Sequence, residues 1–420
     1  MIKKFLPVLV LVLAAIVVTG LVLTACGASS TGSSNTTNNS ATSGFDGGTI
    51  TIGAVNSTTG PGAMGGAEQK WAYDQAVKDQ NAAGGIVMNG KHYKVVLKYA
   101  DDQSDPSQAA AAMEQLIKVD GLHIILSTQV TPINMAAATV AEKYKALYMM
   151  NISWADWIQK ANYKYGTDMF FTPAIAAGVP FEMIKEMPKS EWPKKWGMFT
   201  ENNSDGQGLA QGVAAGAKAM GLDYVMTQAI TPGGNDYSSE ILKLKNAGVD
   251  GLLAFNSPAD AVTFLKQMKE ANYSPKFFFG WKGYWPSQLP TALGADANYV
   301  GHDGFWSEDL GYPGDTQLGQ EYAASHNGDS SVSIGLSYAV AQVLFQAIAN
   351  ANSTDPAAVH AAIAGHTFTG TTMGDVTYNS HAICTIPGVG NEWLSQQRKL
   401  IVPKKPASVQ PQWFVPWNQR

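Results

Sequence analysis

Apolar positions divide the chain into one unbroken run and a long series of short periodic units. Phe5 to Val22 is almost wholly apolar and uncharged, and it follows the basic start Met1-Ile2-Lys3-Lys4. A charged beginning, an apolar stretch and small residues before a cut mark an export signal, here 1–25. Gly27 to Gly44 is Ser, Thr, Asn and Gly with no large apolar side chain. It buries too little surface to fold, so 26–47 reads as a flexible tether. Folding is expected to begin at Gly48-Thr49-Ile50-Thr51-Ile52-Gly53-Ala54-Val55, a β-rich run that ends in the breaker-rich loop 56–62.

Beyond that loop the period alternates between helix and strand. A helix is expected over 67–81, closed by Gly84-Gly85. Tyr93, Val95, Leu97 and Tyr99 then alternate with Lys94, Val96 and Lys98, a strand pattern. Asp105-Pro106-Ser107-Gln108 reads as a capping box with proline at the first helical position. Ala109, Ala112, Met113, Leu116 and Ile117 follow on one helical face. A strand over 123–126 leads into Ser127-Thr128-Gln129-Val130-Thr131, then a helix over 132–144 and a strand over 147–150. Strands over 195–200, 249–255 and 277–279 and helices over 207–220 and 333–350 continue the alternation, with Ala261, Phe264, Leu265 and Met268 marking another helix. Repeated strand–helix units predict an α/β fold of parallel sheets with helices on both faces. The chain is longer than one core usually serves, so two lobes are expected. Ligands in such sheets sit beyond the carboxyl ends of the strands, which here are the loops 56–66, 127–132, 151–157, 201–206, 256–260 and 280–285.

Charge narrows the partners. Two of the 28 basic residues lie in the leader, so the remainder carries 26 against 33 acids, a net charge of about −7. That balance argues against nucleic acid or an anionic membrane face. Cys26, after Leu23-Thr24-Ala25, resembles the lipidated cysteine of a bacterial lipobox. At about 0.8 kcal/mol per buried methylene, two or three acyl chains would hold a soluble domain at a membrane. The alternative is a plain transmembrane anchor over 5–25, which is long enough to span. Both readings put the remainder outside the cytoplasm. Cys384, the other of two cysteines, would then lack an intramolecular disulfide partner. A buried structural thiol is expected there rather than a reactive one.

Catalytic signatures are missing from the sequence. There is no Gly-x-Ser-x-Gly and no Gly-Lys-Ser/Thr phosphate loop, so neither enzyme activity nor a cofactor is expected. The spacing of His360 and His366 does not put two metal ligands on one helical face. Asp101-Asp102 after a strand has the form of a metal or acid/base pair, but is read rather as a polar loop leading to the Asp105 cap. Ser127, Thr128 and Thr131, between a strand and a helix, could grip a carboxylate with hydroxyls and the positive helix end, or simply cap the helix. Trp154, Trp157, Trp281, Tyr284, Trp285, Phe305 and Trp306 cluster on the expected mouth loops. Trp281, at a strand's carboxyl end, is the candidate pocket wall, with ordinary core packing as the other reading.

Five segments resemble one family: Ile52-Gly53 through Gly60-Pro61, Asn81-Ala82-Ala83-Gly84-Gly85-Ile86, Tyr99-Ala100-Asp101-Asp102-Gln103-Ser104-Asp105-Pro106, Gly206-Gln207-Gly208-Leu209-Ala210 and Gly233-Gly234-Asn235-Asp236-Tyr237. Together the chain from about 49 to 375 is similar to the branched-chain amino acid binding proteins of ABC transporters, with the type I periplasmic-binding fold. The resemblance implies two doubly wound lobes joined by crossing hinge segments: 48–172 with 300–370, and 173–299 with 371–420. It implies a small ligand between the lobes, an ABC permease as partner, a monomer, and no metal. The carboxylate grip would fall on Ser127, Thr128 and Thr131, and the next strand end on Asn151, Ser153 and Trp154. Asp205, Ser257, Trp281 and Lys282 would complete the site from the other lobe.

Three departures from the family pattern bear on the ligand. Gly65 stands where an aromatic is common, Asp205-Gly206 where Tyr-Gly is common, and Lys282 where an acid receives the ligand ammonium. A lysine there would repel an ammonium, so the expected ligand is a carboxylate with an aromatic or other apolar body. Alternatively Lys282 faces solvent and Asp205 takes the ammonium. A ligand sensor of the same fold feeding a receptor is a second functional reading, and a surface-anchored hydrolase a remote third.

Overall fold

The computed structural model describes residues 44–420. The export signal, Cys26 and the tether up to residue 43 lie outside the described residues. Asp46 and Gly47, expected in the tether, are bound to the domain. Gly47 N–H donates to His92 O at 2.9 Å and His92 N–H to Asp46 Oδ1 at 2.8 Å.

The first sheet holds β1 (Gly48–Asn56), β2 (Ile86–Met88), β3 (Lys91–Asp101), β4 (Ile124–Leu126), β5 (Leu147–Asn151) and β6 (Gly166–Phe170). Its pairs are parallel except for the β2–β3 hairpin. The two faces of β5 explain why apolar residues run continuously there. Leu147 and Met149 join one core cluster, Tyr148 and Met150 another, so helices cover both faces. The helix Pro106–Lys118 buries Ala109, Ala112, Met113, Leu116 and Ile117, the face read from the sequence. Asp105 accepts from Ser107 N–H and Gln108 N–H, but its own N–H goes to Asp102 O at 2.9 Å. The capping box is therefore half formed. The first helix, Ala63–Ala82, begins four residues earlier than periodicity suggested.

The second sheet holds β7 (Lys195–Glu201), β8 (Asp223–Ile230), β9 (Gly251–Asn256), β10 (Phe277–Lys282) and β11 (Gly301–Gly304). In β10, Phe277 and Phe279 enter one cluster and Phe278 the opposite one. A hairpin of β12 (Thr367–Thr371) and β13 (Gly374–Thr377) stands apart. Then β14 (Ile383–Thr385) adds to the first sheet beside β6, while β15 (Val389–Leu394) extends the second antiparallel to β11 and β16 (Gln397–Val402) pairs antiparallel to β15 at its edge. Each sheet thus has seven strands.

The chain crosses between sheets at points that differ from those expected. It leaves the first sheet after Phe170, returns after Gly304, and leaves again after Thr385. Residues 301–304 therefore belong with the second sheet and 383–385 with the first. Neither strand was legible: β11 reads Gly-His-Asp-Gly, without an apolar run, and β14 has three residues. Cys384 lies in β14, buried, with its thiol pushed up to about 12, mainly by burial. The C-terminal tail packs on the second lobe, where Phe414 N–H donates to Lys276 O and Trp417 Nε1 to Tyr273 O.

Candidate functional site

A cavity of about 250 Å³ lies between the two sheets. All six expected mouth loops reach it: Pro61 and Gly65, Gln129 and Thr131, Ile152 and Trp154, Asp205, Pro258, and Trp281 with Lys282 and Trp285. The crossing segments supply the rest of the apolar wall. Phe170 stacks on Phe171 with ring centres 4.1 Å apart, Phe305 meets Phe170 edge-on at 5.1 Å, and Trp285 meets Phe305 at 5.4 Å. Trp154 leans on Phe170 and Phe171 at 5.9 and 5.8 Å. The result is a continuous aromatic surface suited to a flat apolar body.

The backbone is strained around this cavity. Val130, Ile152 and Lys282 have φ of 69°, 50° and 54°, and all three border it. The left-handed region is unfavourable for any residue with a Cβ and most of all for β-branched Val130 and Ile152, at a cost on the order of 1–3 kcal/mol each, and such strain gathers at functional sites. Each residue sits at or just past the carboxyl end of a strand, where the chain turns sharply into the mouth.

Five of the ten residues expected to contact ligand line the cavity: Thr131, Trp154, Asp205, Trp281 and Lys282. Ser127, Thr128, Asn151, Ser153 and Ser257 do not. Ser127 Oγ donates to Asn151 Oδ1 at 3.0 Å and accepts from Asn151 N–H. Gln69 Nε2 donates to Asn151 Oδ1 at 2.8 Å and to Thr128 O at 3.2 Å. Asn134 Nδ2 reaches Ser153 Oγ at 2.7 Å, and Asn151 Nδ2 reaches Ser337 Oγ at 3.2 Å. Buried polar groups need partners, and here Asn151, Asn134 and Ser57 engage the hydroxyls of Ser127, Ser153 and Thr128 behind the cavity. Ser257 caps the helix Pro258–Glu270, accepting from Asp260 N–H. Thr131 Oγ1 accepts from Trp154 N–H at 3.0 Å while remaining on the wall. Asp101 and Asp102 serve the loop as expected, accepting from Thr58 N–H and Ser57 Oγ respectively.

Lys282 differs from expectation. Its Nζ lies 2.9 and 2.8 Å from the two carboxylate oxygens of Glu201, which is 1% exposed. The lysine charge is thereby paired with a buried carboxylate, while Lys282 keeps its place on the cavity wall. Asp205 accepts from Trp154 Nε1 at 2.9 Å, and burial raises its carboxyl above the usual range. Trp281 donates to Ala176 O at 3.2 Å and shows one side to the cavity. Tyr284 and Trp306 are core residues. Gly65 also has a local reason: a Cβ there would sit 2.4 Å from Gln129 Oε1, so Gln129 fills the space a larger side chain would need.

Four further polar residues on the wall were not anticipated. Asp303 accepts from Trp285 Nε1. Its other oxygen has no partner among the described residues, and burial holds the carboxyl well above its ordinary range. Glu68 is raised by burial despite hydrogen bonds from Ser331 and Ser333. Ser333 lines the cavity, as does Arg398 of β16, a buried guanidinium. Arg398 carried one signal in the sequence: the chain has 26 lysines and two arginines, Arg398 and Arg420. Where a chain spends arginine so sparingly, a charge that must survive burial is a reason to do so.

Residues 49–383 match the family model for periplasmic binding proteins. Leu/Ile/Val-binding protein homolog 8 of Brucella abortus is 28% identical over 334 residues, which cover 75% of this chain and 79% of that protein. Leu/Ile/Val-binding protein homolog 7 of Brucella suis is 30% identical over 262 residues, 60% of this chain and 62% of the relative. Among solved structures, the branched-chain amino acid transporter substrate binding protein LivJ of Streptococcus pneumoniae, in complex with isoleucine, gives a TM-score of 0.73 at 18% identity, covering 85% of this chain and 100% of that one. A solute binding protein of an ABC transporter from Rhodopseudomonas palustris BisB5, in complex with 3,4-dihydroxybenzoic acid, gives 0.71 at 18% identity, covering 86% and 99%.

Proposed function

The chain belongs to the periplasmic binding protein family, and from that premise we propose that it is an extracytoplasmic solute-binding lipoprotein of an ABC importer. Cys26 carries the lipid anchor. The lobes close on a small organic ligand, the closed form docks on a membrane permease, and no bond is made or broken. Ligand binding shifts the population toward closure by the difference in its affinity for the two states.

The observation that carries the reading is the aromatic wall of a small interlobe cavity. At about 250 Å³ the space lies just below the range of roughly 300–1,000 Å³ usual for drug-sized ligands, so the guest is small. Trp154, Phe170, Phe171, Phe305 and Trp285 favour a flat apolar body over a purely polar one. The solved relatives bind isoleucine in one case and 3,4-dihydroxybenzoic acid in another, and the wall here favours the second kind of guest. Asp205 and Lys282 line the cavity from the second lobe.

A thermal-shift screen of the full chain in mild detergent tests the reading, with the mass of any co-purifying small molecule as a second readout. Aromatic acids are expected to raise the melting temperature. Strong stabilisation by leucine, isoleucine or valine with none by aromatic acids would overturn the ligand assignment. A protein indifferent to every small metabolite offered would overturn the cleft as a binding site.

A further inference from the structure

Arg398 is placed unusually for a surface-rich lysine protein. Its side chain crosses from β16 into the wall of the interlobe cavity. Nη2 donates to Trp285 O at 3.0 Å and to Ser330 O at 3.1 Å. Nε and Nη1 are buried and have no partner among the described residues. None of the ion pairs among those residues involves Arg398. The guanidinium instead lies 5.3 Å over the Trp393 ring. Glu308, Glu68 and Asp329 are near enough to act on it electrostatically.

A buried cation with three of its five N–H donors idle is costly. Removing such a group from water carries a penalty of several kcal/mol unless paired and hydrogen-bonded. A lysine could shed its proton under that pressure, but arginine remains charged. The residue is therefore retained in a state that an anion would complete.

We infer that Arg398 is the anion-binding residue of the cleft, holding the carboxylate of the ligand while the aromatic wall holds its body. The inference rests on the reading of the cleft as a ligand site. It moves the carboxylate from the hydroxyls of Ser127 and Thr128, which are engaged elsewhere, to the hairpin of the second lobe.

Two sides of Arg398 can be compared. It also borders a second cavity of about 560 Å³, where Glu308, Asp309 and Asp329 outnumber Lys399 and the imidazole of His326. Those acids oppose an anion there. On the cleft side the wall is largely apolar and aromatic, which strengthens a charge-assisted hydrogen bond. Glu68 and Asp303 share that side, and burial pushes both carboxyls toward their neutral forms. Trp285 links the charge to the wall, because its carbonyl holds Arg398 and its ring packs on Phe305.

Tryptophan-fluorescence titration of the full chain in detergent tests this, with benzoate, phenylacetate and 3,4-dihydroxybenzoate each set against its own amide, and with isoleucine alongside. Acids are expected to bind at least about 30-fold more tightly than their amides, the size of one charged hydrogen bond. Arg398→Gln should remove most of that preference and change amide affinity less than about 3-fold, with Arg398→Lys recovering part of it. The acid–amide comparison needs no variant, so a misfolded substitution leaves it standing. Equal binding of acids and amides overturns the inference, and so does equal loss of both in Arg398→Gln, which would mean that the residue only braces Trp285 and Ser330. Isoleucine binding that is indifferent to Arg398→Gln also overturns it, while the cleft reading survives. Binding of none of the probes overturns both.

Discussion

Trp154 Nε1 donates to Asp205 Oδ1 at 2.9 Å, joining the strand end of one lobe to the first turn of a helix in the other. This contact spans the mouth of the cavity, so it exists only when the lobes are near each other. Trp154→Phe keeps the ring and removes the donor. The expected loss is about 1 kcal/mol of closure free energy, the usual net value of a hydrogen bond. That should appear as roughly 5-fold weaker ligand binding by fluorescence and a larger radius in ligand-free scattering. Unchanged affinity and radius would mean that the contact plays no part in closure.

The Lys282–Glu201 pair predicts a stability effect separable from binding. Lys282→Met strands the buried Glu201 carboxylate. Breaking a fully buried pair costs about 3–5 kcal/mol, and since the lysine side chain is 40% exposed, a smaller loss of about 1–2 kcal/mol is expected. Urea unfolding would measure it. Adding Glu201→Gln should recover most of the loss, because no unpaired charge then remains. If the double variant is as unstable as the single, the pair is not what Lys282 serves.

Val130 predicts a gain. Its φ of 69° is strained for a β-branched side chain, and it is 42% exposed, so little packing is lost on truncation. Val130→Gly relieves strain on the order of 1–3 kcal/mol against a glycine entropy cost of about 0.5–1 kcal/mol. A net stabilisation of about 1 kcal/mol is expected in urea or thermal unfolding. A destabilised variant would show that the lip is held by packing instead.

Glu392 predicts a pH dependence. Burial pushes its carboxyl up to about 8, against a backbone hydrogen bond from Gln412 that lowers it. The folded protein keeps the proton over a range where the unfolded chain has released it. Stability from this group is full below the unfolded value near 4.5. It declines as pH rises and levels off above about 8. Glu392→Gln should flatten the fall in unfolding free energy across that window and leave the variant more stable than the parent at pH 8. An identical pH profile for the two proteins would exclude the assignment.

The proposed anchor is tested at the other end of the chain. Cys26→Ser should move the protein from the membrane fraction to the soluble fraction, and the mature parent should carry the mass of attached acyl chains. A parent whose N-terminus is unmodified, or a variant that stays with the membrane, argues for a spanning leader instead.

Strand ends were legible because periodicity fixes where a strand must stop, and so the six mouth loops followed from the sequence. The direction of individual side chains did not. Ser127 Oγ is engaged by Asn151, 24 residues on, and Thr128 Oγ1 by Ser57, 71 residues earlier. The charge of Lys282 is cancelled by Glu201, 81 residues earlier. No local pattern records such pairings. The aromatic wall was half visible: Trp154, Trp281, Trp285 and Phe305 stood out in the sequence, whereas no sequence signal singled out Phe170 and Phe171. Arg398 lies in a late hairpin remote from every mouth loop, and its placement depends on β15 and β16 closing the edge of the second sheet.

Phe170 and Phe171 flank the first passage between the lobes, and Phe305 opens the second. On the proposed reading, the floor on which a guest would rest is also the pivot about which the halves would swing. Occupancy and stiffness would then be coupled at the same atoms, and a bulky guest would act as a wedge in the joint as well as cargo in the jaws. Substitutions that only loosen the joint should therefore alter which guests are held, even where they touch none of them.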